Sequence, residues 1–358
     1  MSLSKPFHIV HLPNLPIQLI MEFWCPLELY TFSTLCKKTA SVAKYNMKSI
    51  KVLMDIQLIY RIEIIIYDPS KTKKWSFYFE PSYLENFRSL FKRTEKILEV
   101  SEKDFVARGI TCLRRLLELY RVTIDNIDLA KSRHYTAETF REVVQMLNEH
   151  KQESAVRELT LRCLKKHTPI IIDNYQKNTD SYNVKSSWER HCSFPKNLEI
   201  QKLNIRRAYP GLKFFLSMNC SIANFHYSSL SNKDLNRFLK SWAAGESNGR
   251  LKEFRTGMKV KMNLLEVLKG LSPRIRSLMD TKRKIDNSWL HGGIDIERID
   301  GKIATICELC FVSKTEHRPI PQRIVQKYEE AMTWNWNSRE DVADEKFEGN
   351  RRFWIVFW

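Results

Sequence analysis

Apolar side chains recur at helical spacing near the start of the chain. Within residues 17–24 four of them lie three or four positions apart, which is typical of one helix face. Pro16 and Pro26 each suit the first turn of a helix, where the missing N–H costs nothing. With a third, turn-rich segment that ends near Tyr45, the pattern predicts three short helices over residues 16–46.

The second predicted helix carries more apolar side chains than one face can hold. They go round nearly the whole circumference: Leu27, Leu29, Tyr30, Phe32, Leu35 and Cys36. Because so small a helical piece cannot bury all of them by itself, this helix must lie between two layers or bind a partner protein.

The period of the pattern changes to two after Ile50. Apolar residues alternate along 52–58 and 62–66, and a turn signal at 68–70 precedes an aromatic run at 75–79. A β-hairpin or meander is therefore predicted. Helical spacing returns over residues 104–120.

Strand-like and helix-like segments alternate beyond residue 120. Strands are predicted at 122–129, 158–162, 198–205, 222–227 and 251–255, and helices at 136–149, 211–218, 232–243 and 263–270. This alternation indicates parallel β-α units, and their irregular length favours a curved, leucine-rich-repeat-like stack over a doubly wound sheet. No asparagine ladder stands out. The polar stretch 174–187 predicts an exposed loop, whereas 303–312 and the final residues 353–358 predict strands.

Charge and cysteine usage narrow the class of protein. Lys and Arg number 59 against 41 Asp and Glu, a net charge of +18, which invites an acidic partner or nucleic acid. The cations are scattered in short runs, so a solvated basic surface is favoured and nucleic acid is not expected as a partner.

The eight cysteines are spread out with no secretory signal before them, which predicts a cytoplasmic or nuclear setting. No segment reaches the ~20 apolar residues of a membrane span, so no membrane partner is expected.

Motifs for catalysis are missing from the sequence. It contains no Gly-rich phosphate loop, nucleophile elbow or His-Glu-x-x-His pair, so we expect no catalytic residue, no cofactor and no enzyme activity. The sharpest candidate for metal binding is Cys307-x-x-Cys310 with His291 and His317. One such pair supplies only two zinc ligands, and its place in a predicted strand would send the two thiols to opposite faces. Two buried structural cysteines are therefore favoured over a metal-dependent hydrolase.

Three segments carry a resemblance to a known family. The opening residues Leu12-Pro13, Leu15, Ile20 and Pro26 to Leu29, with Ser33 and Cys36 to Lys38, resemble an F-box of the type expanded in nematodes. The run from Asp234 to Trp242 with Gly245, Leu251 and 268–271 is similar to the F-box-associated type 2 domain of the same proteins. Ile296 to Ile306 resembles the closing segment of that family.

The resemblance and the alternation of elements together predict an α/β fold, with a three-helix F-box followed by the leucine-rich-repeat-like stack of β-α units and additional strands. The implied domains are an F-box at 6–50, a connecting α/β region at 51–155, the associated domain at 156–272 and a closing segment at 273–358.

The resemblance also implies a function. F-box proteins bind a Skp-type adaptor and, through it, a cullin. The remaining domain selects a protein for ubiquitination, and the sequence does not specify which protein that is. The positions that carry over to core and adaptor contact are Leu12, Pro13, Leu15, Ile20, Leu27, Leu29 and Leu35. The alternatives are a basic nucleic-acid-binding protein and an F-box protein that acts outside ubiquitination.

Overall fold

The structure is a computed structural model, and it describes most of the chain. The described residues are 12–48, 50–80, 97–101, 104–130, 132–152, 154–162, 167–185, 200–206, 209–332 and 352–358. They form a mixed α/β fold with two compact units, Met1–Asp180 and Ser181–Trp358.

The first unit starts with three helices and continues with strands and helices. Its helices are α1 (Asn14–Glu22), α2 (Pro26–Leu35), α3 (Lys37–Met47), α4 (Phe105–Leu119), α5 (Ala137–Glu149) and α6 (Thr168–Asn174). Its strands are β1 (Lys51–Leu58), β2 (Ile62–Tyr67), β3 (Lys74–Glu80), β4 (Ile97–Ser101), β5 (Arg121–Ala130) and β6 (Val156–Arg162). The division between the units falls inside β7 (Thr179–Val184).

The strands of the first unit have the order β6-β5-β1-β2-β3-β4. The pairs β1–β2 and β2–β3 are antiparallel, as a meander requires, and β5 pairs in parallel with β1 and β6. Parallel strands need a crossover, which α5 supplies between β5 and β6. Gly109 on α4 lets the helix approach β2, because a Cβ there would lie 2.6 Å from Ile62 Cδ1.

The second unit begins with β-α units and ends with antiparallel strands. Its helices are α7 (Leu212–Ser217), α8 (Asn232–Ala243), α9 (Leu264–Leu268) and α10 (Gln322–Met332). After β7 its strands are β8 (Ile200–Ile205), β9 (Cys220–Phe225), β10 (Glu253–Gly257), β11 (Arg274–Arg276), β12 (Lys282–Ile285), β13 (Ser288–Glu297), β14 (Ile303–Ser313) and β15 (Arg352–Phe357).

The sheet of the second unit joins parallel and antiparallel parts through β15. Strands β8, β9 and β10 are parallel, and β15 pairs antiparallel with both β10 and β14. An aromatic core lies on one side of these strands, where the Phe254 ring contacts Phe225 (centroids 5.8 Å apart) and Phe353 (6.0 Å). Trp242 of α8 packs on Phe357 with the centroids 5.0 Å apart.

Most of the predicted elements are confirmed. The three N-terminal helices, the meander, the alternation after residue 120 and the late strands β14 and β15 lie within a few residues of their predicted positions. The predicted exposed loop at 174–187 is wrong in part, because β7 lies inside it with Tyr182 and Val184 fully buried. The elements β4, β11, β12, β13, α6 and α10 were not predicted from the sequence. Residues 6–11 of the predicted F-box lie outside the described residues.

Candidate protein-binding surface

Helix α1 has two apolar sides. Ile17 and Met21 point into the first unit and are almost completely buried. Leu15, Leu19 and Phe23 recur every fourth residue and therefore form a row along the other side, where 67%, 51% and 88% of each residue is exposed. We call these three residues the α1 stripe.

Helix α2 is anchored to the body of the first unit. Leu29 and Phe32 are buried, and the Phe32 ring meets Trp24 edge to face at 5.1 Å. Tyr30 packs on Phe77 of β3 at 5.5 Å, and burial raises the pKa of its hydroxyl. The predicted apolar surplus of α2 is thus mostly enclosed by its own chain, and the larger exposed surplus lies on α1.

A polar contact fixes the end of α2. The Arg115 guanidinium of α4 donates to the Ser33 carbonyl oxygen at 2.8 Å. At the next helix start, the Cys36 backbone N–H donates to Thr39 Oγ1 at 3.0 Å, which satisfies one donor at the α3 N-terminus. Because α2 and α3 are held in this way, α1 packs beside helices whose positions are fixed.

The predicted adaptor-contact residues fall into three groups of exposure. Leu29 is buried core; Leu12, Ile20 and Leu27 are half-buried; Pro13, Leu15 and Leu35 are exposed. Leu29 is therefore a packing residue of this unit, whereas Leu15 and Leu35 are free to meet a partner. The sequence analysis missed Leu19 and Phe23 as surface residues, although their spacing from Leu15 was visible in the chain.

The cysteine pair of β14 differs from its prediction in two ways. Both residues are half-buried rather than buried, and their thiols interact instead of pointing to opposite faces. The cause is a bulge, since Gly292 pairs with Cys310 but Ile294 pairs with Ile306. Cys310 Sγ donates to the Cys307 carbonyl oxygen at 3.1 Å, and burial together with the Cys310 thiol raises the pKa of Cys307. A thiol kept protonated in this way is a poor metal ligand and a poor nucleophile.

The two histidines considered as further metal ligands do not join the cysteine pair in a metal site. His291 is buried and hydrogen-bonded through Nε2 to Ser313 Oγ at 2.9 Å, and His317 is exposed. Within the described ranges, no group of three or more His, Cys, Asp and Glu side chains could hold a metal ion. No helix in those ranges is both long and apolar enough to cross a membrane.

Comparison with known proteins gives a family match within the second unit. Residues 189–256 match the family model described as F-box associated, a range that includes β8, α7, β9, α8 and most of β10. The resemblance to the associated domain is confirmed over this range, and the match does not extend to the N-terminal helices. Neither the curated proteins nor the solved structures give a significant match to the chain.

Proposed function

We propose that this chain is a substrate-recognition adaptor of an SCF-type ubiquitin ligase. The N-terminal helices act as an F-box that binds a Skp-type adaptor and, through it, a cullin. The remainder of the chain binds the protein to be ubiquitinated. In this proposal the chain performs no catalytic step, and it contributes by raising the effective concentration of the target near the ligase.

The observation that carries the proposal is the α1 stripe. Three large apolar side chains at successive turns of one helix stay exposed while the opposite side of the helix is buried. A soluble monomer rarely leaves such a row uncovered, and apolar anchors spaced in this way are typical of a helix that docks on a partner protein. Leu35 adds a further exposed apolar side chain at the end of α2.

The family match adds support from the other end of the chain. An F-box associated region follows the helices in the same polypeptide, which is the order that an adaptor with a separate recognition region needs. The leucine-rich-repeat-like character of that region is part of the proposal. The parallel strands β8, β9 and β10 with their intervening helices support it.

The test is binding of the full chain to a purified Skp-type adaptor, followed by recruitment of a cullin. Replacing Leu15 and Phe23 together by Ala should weaken adaptor binding at least about tenfold, since central apolar anchors dominate such interfaces. The midpoint of thermal unfolding should stay the same, because both side chains point outward.

A matched control removes exposed apolar side chains elsewhere. Tyr60→Ala and Ile299→Ala change residues that are 73% and 83% exposed, and both should bind the adaptor like the wild type. Equal binding by the Leu15 and Phe23 variant and by the controls would contradict the proposal. So would a wild-type chain that does not bind the adaptor. Adaptor binding without ubiquitin transfer to a bound target would favour a role outside ubiquitination.

A further inference from the structure

Three loops of the second unit meet at one edge of its sheet. Because β8, β9 and β10 are parallel, the loop residues at their carboxyl ends lie side by side; those that the structure describes are 206, 209–211, 226–231 and 258–263. This edge is where α/β folds most often place a binding site, since the strands hold the loops in fixed positions.

Two exposed tyrosines from different loops stack on each other at this edge. Tyr209 of the first loop and Tyr227 of the second have ring centroids 5.8 Å apart and an interplanar angle of 28°. They are 40% and 50% exposed. Lys259 of the third loop places its Nζ 5.4 Å from the Tyr209 ring centroid, and Val260 beside it is also exposed. An apolar platform with a cation beside it is therefore open to solvent.

Hydrogen bonds between the loops hold this platform in place. The backbone N–H and the hydroxyl of Ser229 both donate to the Pro210 carbonyl oxygen, at 3.2 and 3.0 Å. Ser228 donates in the same two ways to the Gly257 carbonyl oxygen, at 2.8 and 3.0 Å. Gly257 allows this approach, because a Cβ there would collide with the backbone of His226. A surface fixed before binding loses little conformational entropy when a partner arrives.

The charged side chains in the described parts of the three loops are all basic. Their described residues include Arg206, Lys259 and Lys261 and no Asp or Glu. The acidic residue that follows, Asp234 in the first turn of α8, accepts a hydrogen bond from the Ser231 hydroxyl at 2.8 Å and is used as a helix cap. The local field therefore favours negatively charged groups.

We infer that this loop surface, formed by Tyr209, Tyr227, Lys259, Val260 and Lys261, binds an acidic segment of the target protein. The carboxylates of that segment pair with Lys259 and Lys261, and an aromatic or aliphatic side chain packs against the two tyrosines. The inference rests on the proposed function, because it identifies the chemistry of the target that the adaptor selects.

A protein segment fits this surface better than a nucleic acid does. Single-stranded nucleic acid needs a groove of cations that follows several phosphates, together with aromatic faces free to stack on bases. Here the cations are few, and the two tyrosine rings stack on each other. Partly exposed tyrosines beside a cation are typical of surfaces that bind proteins.

The experiment measures binding of the full chain, in complex with a Skp-type adaptor, to fluorescein-labelled acidic polymers. The probe is a random copolymer of glutamate and tyrosine, compared with polyglutamate and with polyuridine RNA at about 0.15 M ionic strength. Two double variants remove the platform and the charge: Tyr209→Ala with Tyr227→Ala, and Lys259→Glu with Lys261→Glu. The matched controls are Tyr60→Ala for the exposed aromatic and Lys269→Glu with Lys284→Glu for exposed charge.

We expect the wild type to bind the copolymer more tightly than polyglutamate. Each double variant should weaken copolymer binding at least about tenfold, while the controls bind like the wild type. Equal losses in the control variants, or no loss in the double variants, would overturn the inference. Binding of polyuridine in preference to the copolymer, lost in the same variants, would overturn it in favour of a nucleic-acid site. Retained binding to the Skp-type adaptor in all variants separates a failure of this inference from a failure of the proposed function.

Discussion

Asp295 on β13 is a buried carboxylate that two arginines and a threonine hold in the charged form. Arg283 donates to both of its oxygens, at 2.7 and 2.8 Å, and Arg276 Nε donates at 2.6 Å. Thr305 Oγ1 donates at 2.7 Å and accepts in turn from Trp358 Nε1 at 2.8 Å. Burial alone would raise the pKa of Asp295, but the hydrogen bonds from Arg283, Thr305 and Arg276 outweigh it and lower the pKa.

We expect Asp295→Asn to destabilise the second unit by about 3 kcal/mol near neutral pH, because it leaves the charges of the half-buried Arg276 and Arg283 uncompensated. The carboxylate has its ordinary pKa near 3.9 in the unfolded chain and a lower one in the folded chain. Its stabilising contribution is therefore complete above roughly pH 5 and is lost as the pH falls through the folded pKa. The free energy of unfolding in urea should fall less steeply in acid for the variant than for the wild type.

Glu297→Gln is the control for this measurement, since Glu297 is exposed and forms an ion pair with the exposed Arg274 at 3.5 Å. It should change the free energy of unfolding by less than about 1 kcal/mol. Parallel acid profiles for the wild type and Asp295→Asn would contradict the role of Asp295.

At the scale of elements, three neighbouring strands are joined by a row of asparagine amides. Asn204 of β8 donates to Asn183 Oδ1 of β7 at 2.7 Å, and Asn224 of β9 donates to Asn204 Oδ1 at 3.1 Å. The interpretation of the sequence as lacking an asparagine ladder is therefore wrong. The three residues are separated by 21 and 20 positions, so the spacing was present, but only the register of the strands shows that they face each other.

Asn204→Ala removes the middle of this row and both of its hydrogen bonds. We expect a loss of about 1 to 2 kcal/mol in the free energy of unfolding, because the amides of Asn183 and Asn224 are left without that partner on a half-buried surface. Lys202→Ala, at an exposed position of the same strand, should cost less than about 0.5 kcal/mol. Equal effects of the two substitutions in urea unfolding would argue against a structural role for the row.

The elements that were predicted well share a strong local period. The helices α1 and α4 and the strands β1 and β2 have apolar residues at regular positions, and tertiary contacts only reinforce that pattern. Strand β7 does not show in the pattern because its buried residues, Thr179, Tyr182 and Val184, do not alternate regularly and polar residues lie between them. The loop surface could not be predicted, because its stacked tyrosines come from loops that only the parallel order of β8 and β9 brings together.

At the scale of the whole molecule, β15, which follows every other described strand in sequence, is an internal strand of the second unit. β15 separates β10 from β14 and pairs with both. Trp354 on β15 donates to Glu253 Oε1 at 2.9 Å, and its ring lies under the Arg255 guanidinium at 4.4 Å. Strand β15 is therefore held against β10 by both backbone and side-chain contacts.

Deletion of residues 352–358 should expose both neighbours of β15. Hydrogen exchange of the backbone amides should become much faster in β10 and β14, because their ladder partners are lost, while β1 and β5 of the first unit serve as the internal reference. Unchanged protection of β10 and β14 would show that β15 contributes little to the sheet.

The position of β15 has a consequence for the time course of folding. Glu253 and Trp354 are 101 residues apart, so bringing the two strands together costs chain entropy before their contacts can compensate it. We expect β15 to enter late, and until it does, the polar edges of β10 and β14 remain open to any other extended chain. Newly made molecules would therefore be most prone to aggregation in the interval before this strand enters, and a helper that shields open strand edges would act on them at that stage.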